Sequence, residues 1–386
     1  MELRQVLMFS GGLGGGDVHG VKVAPYLSEQ GYEVHLLVHS VMYRRETNTL
    51  RNHPNLHLYL INSPTTDPIG YFIYVIKTLV LSISGICRRV DVVYSPSHQL
   101  ELLLPAILCK IKNPGSKMCV VVHHLIPPLK TRSTYKGGGF FERIFDLTSV
   151  VSQDIAILLL KKWAEIVLTP TFYVKRVLAE KGFCQKRIVR VGNGVDLKLI
   201  DSIPARDQFY DGVTIGLSPS KGMFDLLKVW KEVCGEAKDA KLAILASFSR
   251  WRKQALELIS RLKLTNNVDL IRHVSELDKI KILKSSKIYI SPCYEVGWSI
   301  PMSEAAACGL PIIAYDNQVF REIYGDNIMY VPRGDLLRLK ESILFMLSNP
   351  EIREEYSRRS RSWAIRNEWK KVAKIEGEAF ALIGLR

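Results

Sequence analysis

Apolar residues in the first 200 positions come in short runs, each separated from the next by a longer stretch with helical spacing. QVLMFS (5–10) reads as a buried strand and VKVAPYLSEQG (21–31) as a helix closed by Gly31. YEVHLLVHS (32–40), NLHLYLI (55–61), VDVVYS (90–95), MCVVVH (118–123) and AEIVLTPT (164–171) continue the strand series. The second half repeats the pattern with GVTIGLS (212–218), KLAILAS (241–247), NVDLIRH (267–273), KIYISP (287–292), LPIIAY (310–315) and IMYVP (328–332). Strands that alternate with helices predict parallel, doubly wound sheets, and two such series predict two α/β domains with ligands at the carboxyl ends of the strands. The polar stretch LIDSIPARDQFYDG (199–212), with its Pro and Gly, is the expected linker. The segment YFIYVIKTLVLSISGIC (71–87) holds Lys77 in its middle and is short for a membrane span, so it reads as a core helix packed on the sheet.

A length of 386 residues, 47% apolar and 24% charged, is an ordinary globular composition for two domains. Seven cysteines without a C-x-x-C pair suggest neither a disulfide framework nor a zinc site, and a reduced, cytoplasmic protein is expected. The N-terminus passes straight into a strand, with no basic n-region and apolar core of a signal peptide. Of the net charge of +15, residues 1–200 carry +10. That excess suits phosphorylated ligands or an anionic membrane surface on the inner face of the cell membrane. No nucleic-acid recognition motif accompanies it, so no nucleic-acid partner is expected.

SGGLGGGDVHG (10–20) follows the first strand and opens a helix, where backbone N–H groups favour an anion. Five glycines within six positions exceed what a plain turn needs and point to close backbone approach to a ligand. The dinucleotide pattern G-x-G-x-x-G is incomplete, because its third slot holds Asp17 or His19, and the second strand ends without a carboxylate. In the second half, Lys221-Gly222 lies at a strand-to-helix junction, where a lysine either faces a phosphate or is merely solvated.

Taken in order, GGLGGG, VVHHLIP (121–127), GNGVD (192–196), SPSKG (218–222) and SPCYEVGWSIPMSEAAACGLPIIAYD (291–316) resemble the retaining glycosyltransferases of family 4, the glycosyl transferases group 1. NEWKKVA (367–373) resembles that family's last helix. The resemblance implies a GT-B fold: two Rossmann-like, doubly wound domains facing each other across a cleft. On this reading residues 1–200 form the acceptor-side domain and 201–365 the sugar-nucleotide domain, with 366–386 returning as a helix to the first. It further implies a nucleotide-sugar donor, a sugar or lipid-linked acceptor, and no cofactor or metal.

Residue by residue, the resemblance places Glu304 on the donor ribose, the amides of Ser299 and Ile300 on the diphosphate, and Val274 beside the base. Lys221 neutralises the leaving diphosphate, and His123 stands beside the reacting sugar. Gly14, Gly15 and Gly16 close over the donor, and Asn193 joins the donor-binding set. Three positions depart from the family pattern. The first glutamate of E-x7-E belongs at 296, which is Val296, while Glu295 stands one residue early; Gly216 replaces an arginine, and Gly192 a proline. Arg250 and Arg252 are candidate substitutes at the phosphates. The implied chemistry is hexosyl transfer with retention, in which a donor phosphate oxygen serves as base; no Asp-x-Asp sequence occurs to hold a metal. For a lipid-linked acceptor, Lys136, Phe140 and Phe141 offer a basic and apolar stretch, equally readable as a helix packed on its own domain. The rival function is a non-catalytic member of the fold that binds a sugar nucleotide or an interaction partner without turnover. A nicotinamide-dependent oxidoreductase is disfavoured by the incomplete glycine pattern.

Overall fold

The computed structural model describes residues 4–10, 15–62, 68–83, 87, 89–129, 140–246, 249–272, 274–295 and 297–384. The chain divides into two units, one comprising Met1–Ile126, Leu147–Gly194 and Trp369–Arg386, the other Pro127–Asp146 and Val195–Glu368.

The first unit is built on a seven-stranded parallel sheet in the order β3-β2-β1-β4-β5-β6-β7. Its strands are β1 (Arg4–Ser10), β2 (Tyr32–His39), β3 (Leu56–Ile61), β4 (Val92–Ser95), β5 (Lys117–Val121), β6 (Ile166–Thr169) and β7 (Ile188–Arg190). The helices between them are α1 (Gly15–Glu29), α2 (Ser40–Arg45), α3 (Thr47–Leu50), α4 (Pro68–Ile83), α5 (Leu100–Lys112), α6 (Phe140–Trp163) and α7 (Phe172–Glu180). The chain runs one way from β1 to β3 and the other way from β4 to β7. Right-handed crossovers therefore put α1 on one face of the sheet and α4 to α7 on the other. The core agrees: Tyr74, Leu103, Ala106, Leu160 and Val174 from those four helices share one cluster with Leu7, Phe9, Val93 and Val120 of the sheet. Strands buried on both faces read as near-continuous apolar runs, which is why six of the seven were legible. The seventh, β7, is three residues long at the sheet's edge, preceded by Arg187 and ending in Arg190, too short and too basic to stand out.

The second unit repeats the scheme with six parallel strands in the order β10-β9-β8-β11-β12-β13. These are β8 (Tyr210–Ile215), β9 (Leu242–Leu245), β10 (Val268–Ile271), β11 (Ser286–Ser291), β12 (Ile312–Tyr315) and β13 (Met329–Val331). Its helices are α8 (Leu197–Ser202), α9 (Met223–Glu236), α10 (Arg252–Arg261), α11 (Glu276–Lys284), α12 (Ile300–Ala307), α13 (Gln318–Tyr324), α14 (Leu336–Ser348) and α15 (Pro350–Ile365). The last helix, α16 (Trp369–Ala381), belongs to the first unit and packs on α1.

Two expectations need correcting. The stretch 199–212 is not all linker. Asp196 accepts the amide of Leu199 and caps α8, and strand β8 begins at Tyr210. Nor are all thiols free: Cys87, beyond the end of α4, and Cys109, on α5, form a disulfide with Cα atoms 5.2 Å apart, because those two helices pack together. Cys119, Cys184, Cys234, Cys293 and Cys308 are free. Among the described residues, no helix is long and apolar enough to cross a membrane.

Candidate active site

In the second unit, the backbone after β8 turns sharply to start α9. Ser218 caps the turn by accepting the amide of Lys221 at 3.3 Å, and its hydroxyl meets that of Ser220 at 2.9 Å. Gly222 then adopts φ +68°, and a Cβ there would fall 1.9 Å from the carbonyl oxygen of Pro292. Only glycine permits this approach, which presses the Lys221 turn against the backbone that follows β11. The amide of Tyr294 completes the contact by donating to the carbonyl of Ser220 at 2.8 Å. The Lys221 turn and the backbone that leads toward α12 are thus packed together at the carboxyl ends of adjacent strands β8 and β11.

The loop is pinned from behind. The indole Nε1–H of Trp298 donates to Ser303 Oγ at 3.0 Å, and Ser303 meets the Tyr324 hydroxyl at 2.9 Å. Tyr324 lies against Trp363 with ring centroids 4.4 Å apart. Ser299 caps α12 with its backbone alone, so Ser299 and Ile300 sit where the helix presents its first N–H groups and its positive end. Val274, half-buried, stands just ahead of Ser275, the cap of α11. The amide of Glu295 faces the Ser220 carbonyl at 3.4 Å.

Glu304 lies one turn into α12, and its carboxylate is held by Lys279 of α11, with Nζ 2.8 and 2.7 Å from the two oxygens. Glu276 meets the same Nζ at 2.7 Å. Lys279 was missed in the sequence, although it carries a signal: it shares the buried side of α11 with Ile280 and Leu283, an inward position where a cation needs a partner. Burial, followed by the nearby Glu304 charge, pushes the Cys308 thiol up to about 12, so it is inert.

Gly216 has φ +117°, and a Cβ on it would stand 3.2 Å from Lys221 Cγ. An arginine at this position meets both backbone strain and the stem of that lysine. Of the two candidate substitutes, Arg250 lies over the ring of Trp251 at 5.3 Å, and Arg252 donates to the Leu270 carbonyl at 3.4 Å.

In the first unit a second cluster surrounds His123, just beyond β5. Its Nε2–H donates to the Pro96 carbonyl at 2.8 Å, which fixes the tautomer and leaves Nδ1 as an acceptor. Burial, and then the neighbouring His19, hold the ring well below the ordinary histidine range, so it is neutral at pH 7. His19 of α1 stands edge-on to it at 5.0 Å between centroids, and to Trp369 at 5.3 Å. His19 is fully buried between Asn193 Oδ1 and Glu376 Oε1, each at 2.5 Å. Tyr94 donates its hydroxyl to the other oxygen of Glu376 at 2.9 Å. Asn193 is thus spent on His19 inside the first unit. Glu376 on α16 was not foreseen, and nothing local to that helix marks it. The backbones of Gly15 and Gly16 open α1; Gly14, Lys136 and Val296 lie outside the described residues, and Phe140 and Phe141 begin α6. Among the described residues, no group of three His, Cys, Asp or Glu side chains is placed to hold a metal ion.

A lysine turn packed on the backbone that leads into a helix start, with a carboxylate a turn into that helix, suits a nucleoside diphosphate, and the domain content agrees. Residues 215–363 match the family described as Glycosyl transferases group 1, and residues 13–199 match Glycosyltransferase Family 4. The chain therefore carries the two domains of a group 1 glycosyltransferase. It is 25% identical over 285 residues to the O-antigen chain mannosyltransferase RfbU of Salmonella typhimurium, covering 70% of this chain and 74% of that protein. It is 27% identical over 201 residues to the phosphatidyl-myo-inositol mannosyltransferase of Mycobacterium leprae, covering 48% of this chain and only about half, 51%, of that relative's length. Anabaena HepE, solved in complex with UDP and glucose, superposes with a TM-score of 0.74 at 13% identity over 100% of both chains. Sucrose-phosphate synthase of Thermosynechococcus elongatus gives 0.75 at 14% identity over 99% of both. At such identities the likeness establishes the fold, which is GT-B.

Proposed function

We propose that the protein transfers a hexosyl group from a nucleotide sugar to an acceptor hydroxyl with retention of configuration and without a metal. The observation that carries this reading is the Gly222–Pro292 approach, which brings Lys221 to the loop that starts α12. Lys221 and the amides of Ser299 and Ile300 receive the diphosphate, and Glu304 receives the ribose hydroxyls. As the glycosidic bond breaks, negative charge develops on the leaving diphosphate, and a fixed cation beside it lowers the barrier. A phosphate oxygen of the donor takes the acceptor's proton, while neutral His123 offers Nδ1 to a sugar hydroxyl. Arg250 or Arg252 adds charge at the phosphates in place of the arginine that Gly216 replaces.

The relatives' names, two mannosyltransferases, support mannose as the sugar. The name of the mycobacterial relative supports a lipid-linked acceptor. Thermal stability against UDP, GDP, ADP and their hexose conjugates tests the donor class. A ligand at a hundred times its Kd adds about 2.7 kcal/mol, and Glu304→Ala is expected to remove that gain. If no nucleotide stabilises the protein, the non-catalytic reading replaces this one.

A further inference from the structure

Helix α4 is apolar on its outward side as well as on the side that meets the core. Its inward side carries Tyr74, Thr78 and Ser82, all buried and one turn apart. Their hydroxyls are spent on backbone carbonyls: Tyr74 donates to Ser10, Thr78 to Tyr74 and Ser82 to Thr78, at 2.7 to 2.8 Å. Its outward side carries Phe72, Ile76, Val80 and Ile83, with Phe72 65% and Val80 59% exposed. The sequence reading of 71–87 as a helix packed on the sheet holds, since Tyr74, Val75 and Leu81 join the core, but the helix turns a second apolar stripe outward.

The neighbouring helices do the same. On α5 Leu104 and Ile111 are exposed. On α6 the series Leu147, Val151, Ile155 and Leu158 runs at turn-by-turn spacing, with Leu158 67% exposed. All three helices cover one face of the first sheet, so their outer sides form one layer. Scattered exposed apolar residues need no explanation, but three helices on one face of a sheet that each turn apolar side chains outward do. Among the described side chains the charges on these outer sides are one-sided: Lys77, Lys112, Lys161 and Lys162 are exposed against the exposed acid Asp154. From the next helix through to the edge strand β7, Arg176, Lys181, Lys186, Arg187 and Arg190 extend the excess beside Glu180.

We propose that this face docks on an anionic lipid bilayer, with the apolar stripes entering the interfacial region and the basic side chains meeting headgroup phosphates. The charge decides the occupant. A second copy of the chain on a two-fold axis would set the basic residues against themselves, whereas a sheet of anionic headgroups complements them. The lipid contact thereby moves from the stretch around Lys136, Phe140 and Phe141 to the outer layer of α4, α5 and α6.

Vesicle flotation without donor tests this independently of the proposed transfer, since neither result depends on the other. The protein is expected to float with vesicles of phosphatidylcholine plus phosphatidylglycerol, and weakly with phosphatidylcholine alone. Phe72→Ser, Val80→Ser and Leu158→Ser combined are expected to weaken partitioning at least about tenfold with an unchanged thermal midpoint, because all three side chains are exposed. Lys112→Glu, Lys161→Glu and Lys162→Glu combined are expected to erase the preference for anionic vesicles. Equal flotation of parent and both variants overturns the proposal. So does sedimentation equilibrium showing a dimer that the apolar variant dissociates, which would make the face a self-association surface.

Discussion

The clusters around His123 and around Lys221 sit at the ends of similar parallel sheets, yet they treat polar groups in opposite ways. Around His123 the polar side chains are sealed: His19 and Glu376 have no exposure, Asn193 has 2%, and each is committed to a partner within the unit. Around Lys221 the parts are backbone amides, a capped turn and half-exposed side chains, with Glu304 held by a cation. A sealed network fixes one ring in one tautomer, and it is costly to break because an unpaired buried charge has nowhere to go. An open turn leaves its donors for a ligand and costs little until the ligand arrives. One sheet end is organised for position and the other for occupancy.

The contrast is broken most severely at Glu376. Glu376→Ala strips His19 of its carboxylate and is expected to cost about 3–5 kcal/mol of stability in urea denaturation, while leaving the nucleotide-induced thermal shift intact. Loss of that shift together with stability would mean that the two clusters are not separable. Next, Lys221→Ala is expected to lower kcat by roughly 10²- to 10³-fold with little change in folding, the usual cost of removing a charge-stabilising group; steady-state kinetics beside thermal denaturation decides it.

The third prediction concerns acid. Burial, followed by the neighbouring His124, lowers His98 to about 4, while an unfolded histidine titrates near 6.5. Above pH 6.5 both states are neutral and the full stability is present. Between pH 6.5 and about 4 only the unfolded chain takes up the proton, so stability falls across that window, by about 3 kcal/mol from this residue alone. His123 adds to the loss in the same direction. A flat urea midpoint from pH 7 to 4.5 would contradict it. The smallest effect is expected at Lys279. Lys279→Met releases Glu304 from its clamp and is expected to raise the donor KM about tenfold, near 1.4 kcal/mol, with kcat unchanged.

How far the sequence could be read follows the same contrast. The lysine and glycine of SPSKG and the loop GWSIPMSE are contiguous pieces whose chemistry is local, and the Lys221 turn packs on the backbone at Pro292–Glu295 that leads into that loop. All strands but the short edge strand β7 announced themselves, because buried parallel strands are unbroken apolar runs. Glu376, by contrast, lies 357 positions from His19 and has meaning only once α16 is docked on α1. Lys279 gave a faint sign through its inward phase on α11, but its partner Glu304 is on another helix. The outward stripe of α4 was hidden by its own hydrophobicity, since a helix apolar over most of its surface gives no hint of which side meets the core.

The assignment of α16 to the first unit also sets a schedule. A ribosome that has finished Gly194 must make the whole of Val195–Glu368 before Trp369 and Glu376 exist. At roughly 5–20 residues per second, that leaves the seven-stranded sheet waiting on the order of ten to thirty-five seconds for its last helix. During that interval the α1 surface, with His19 and Tyr94 beneath it, is open to chaperones and to misplaced partners. The nascent chain therefore closes its second unit while the first is still unfinished.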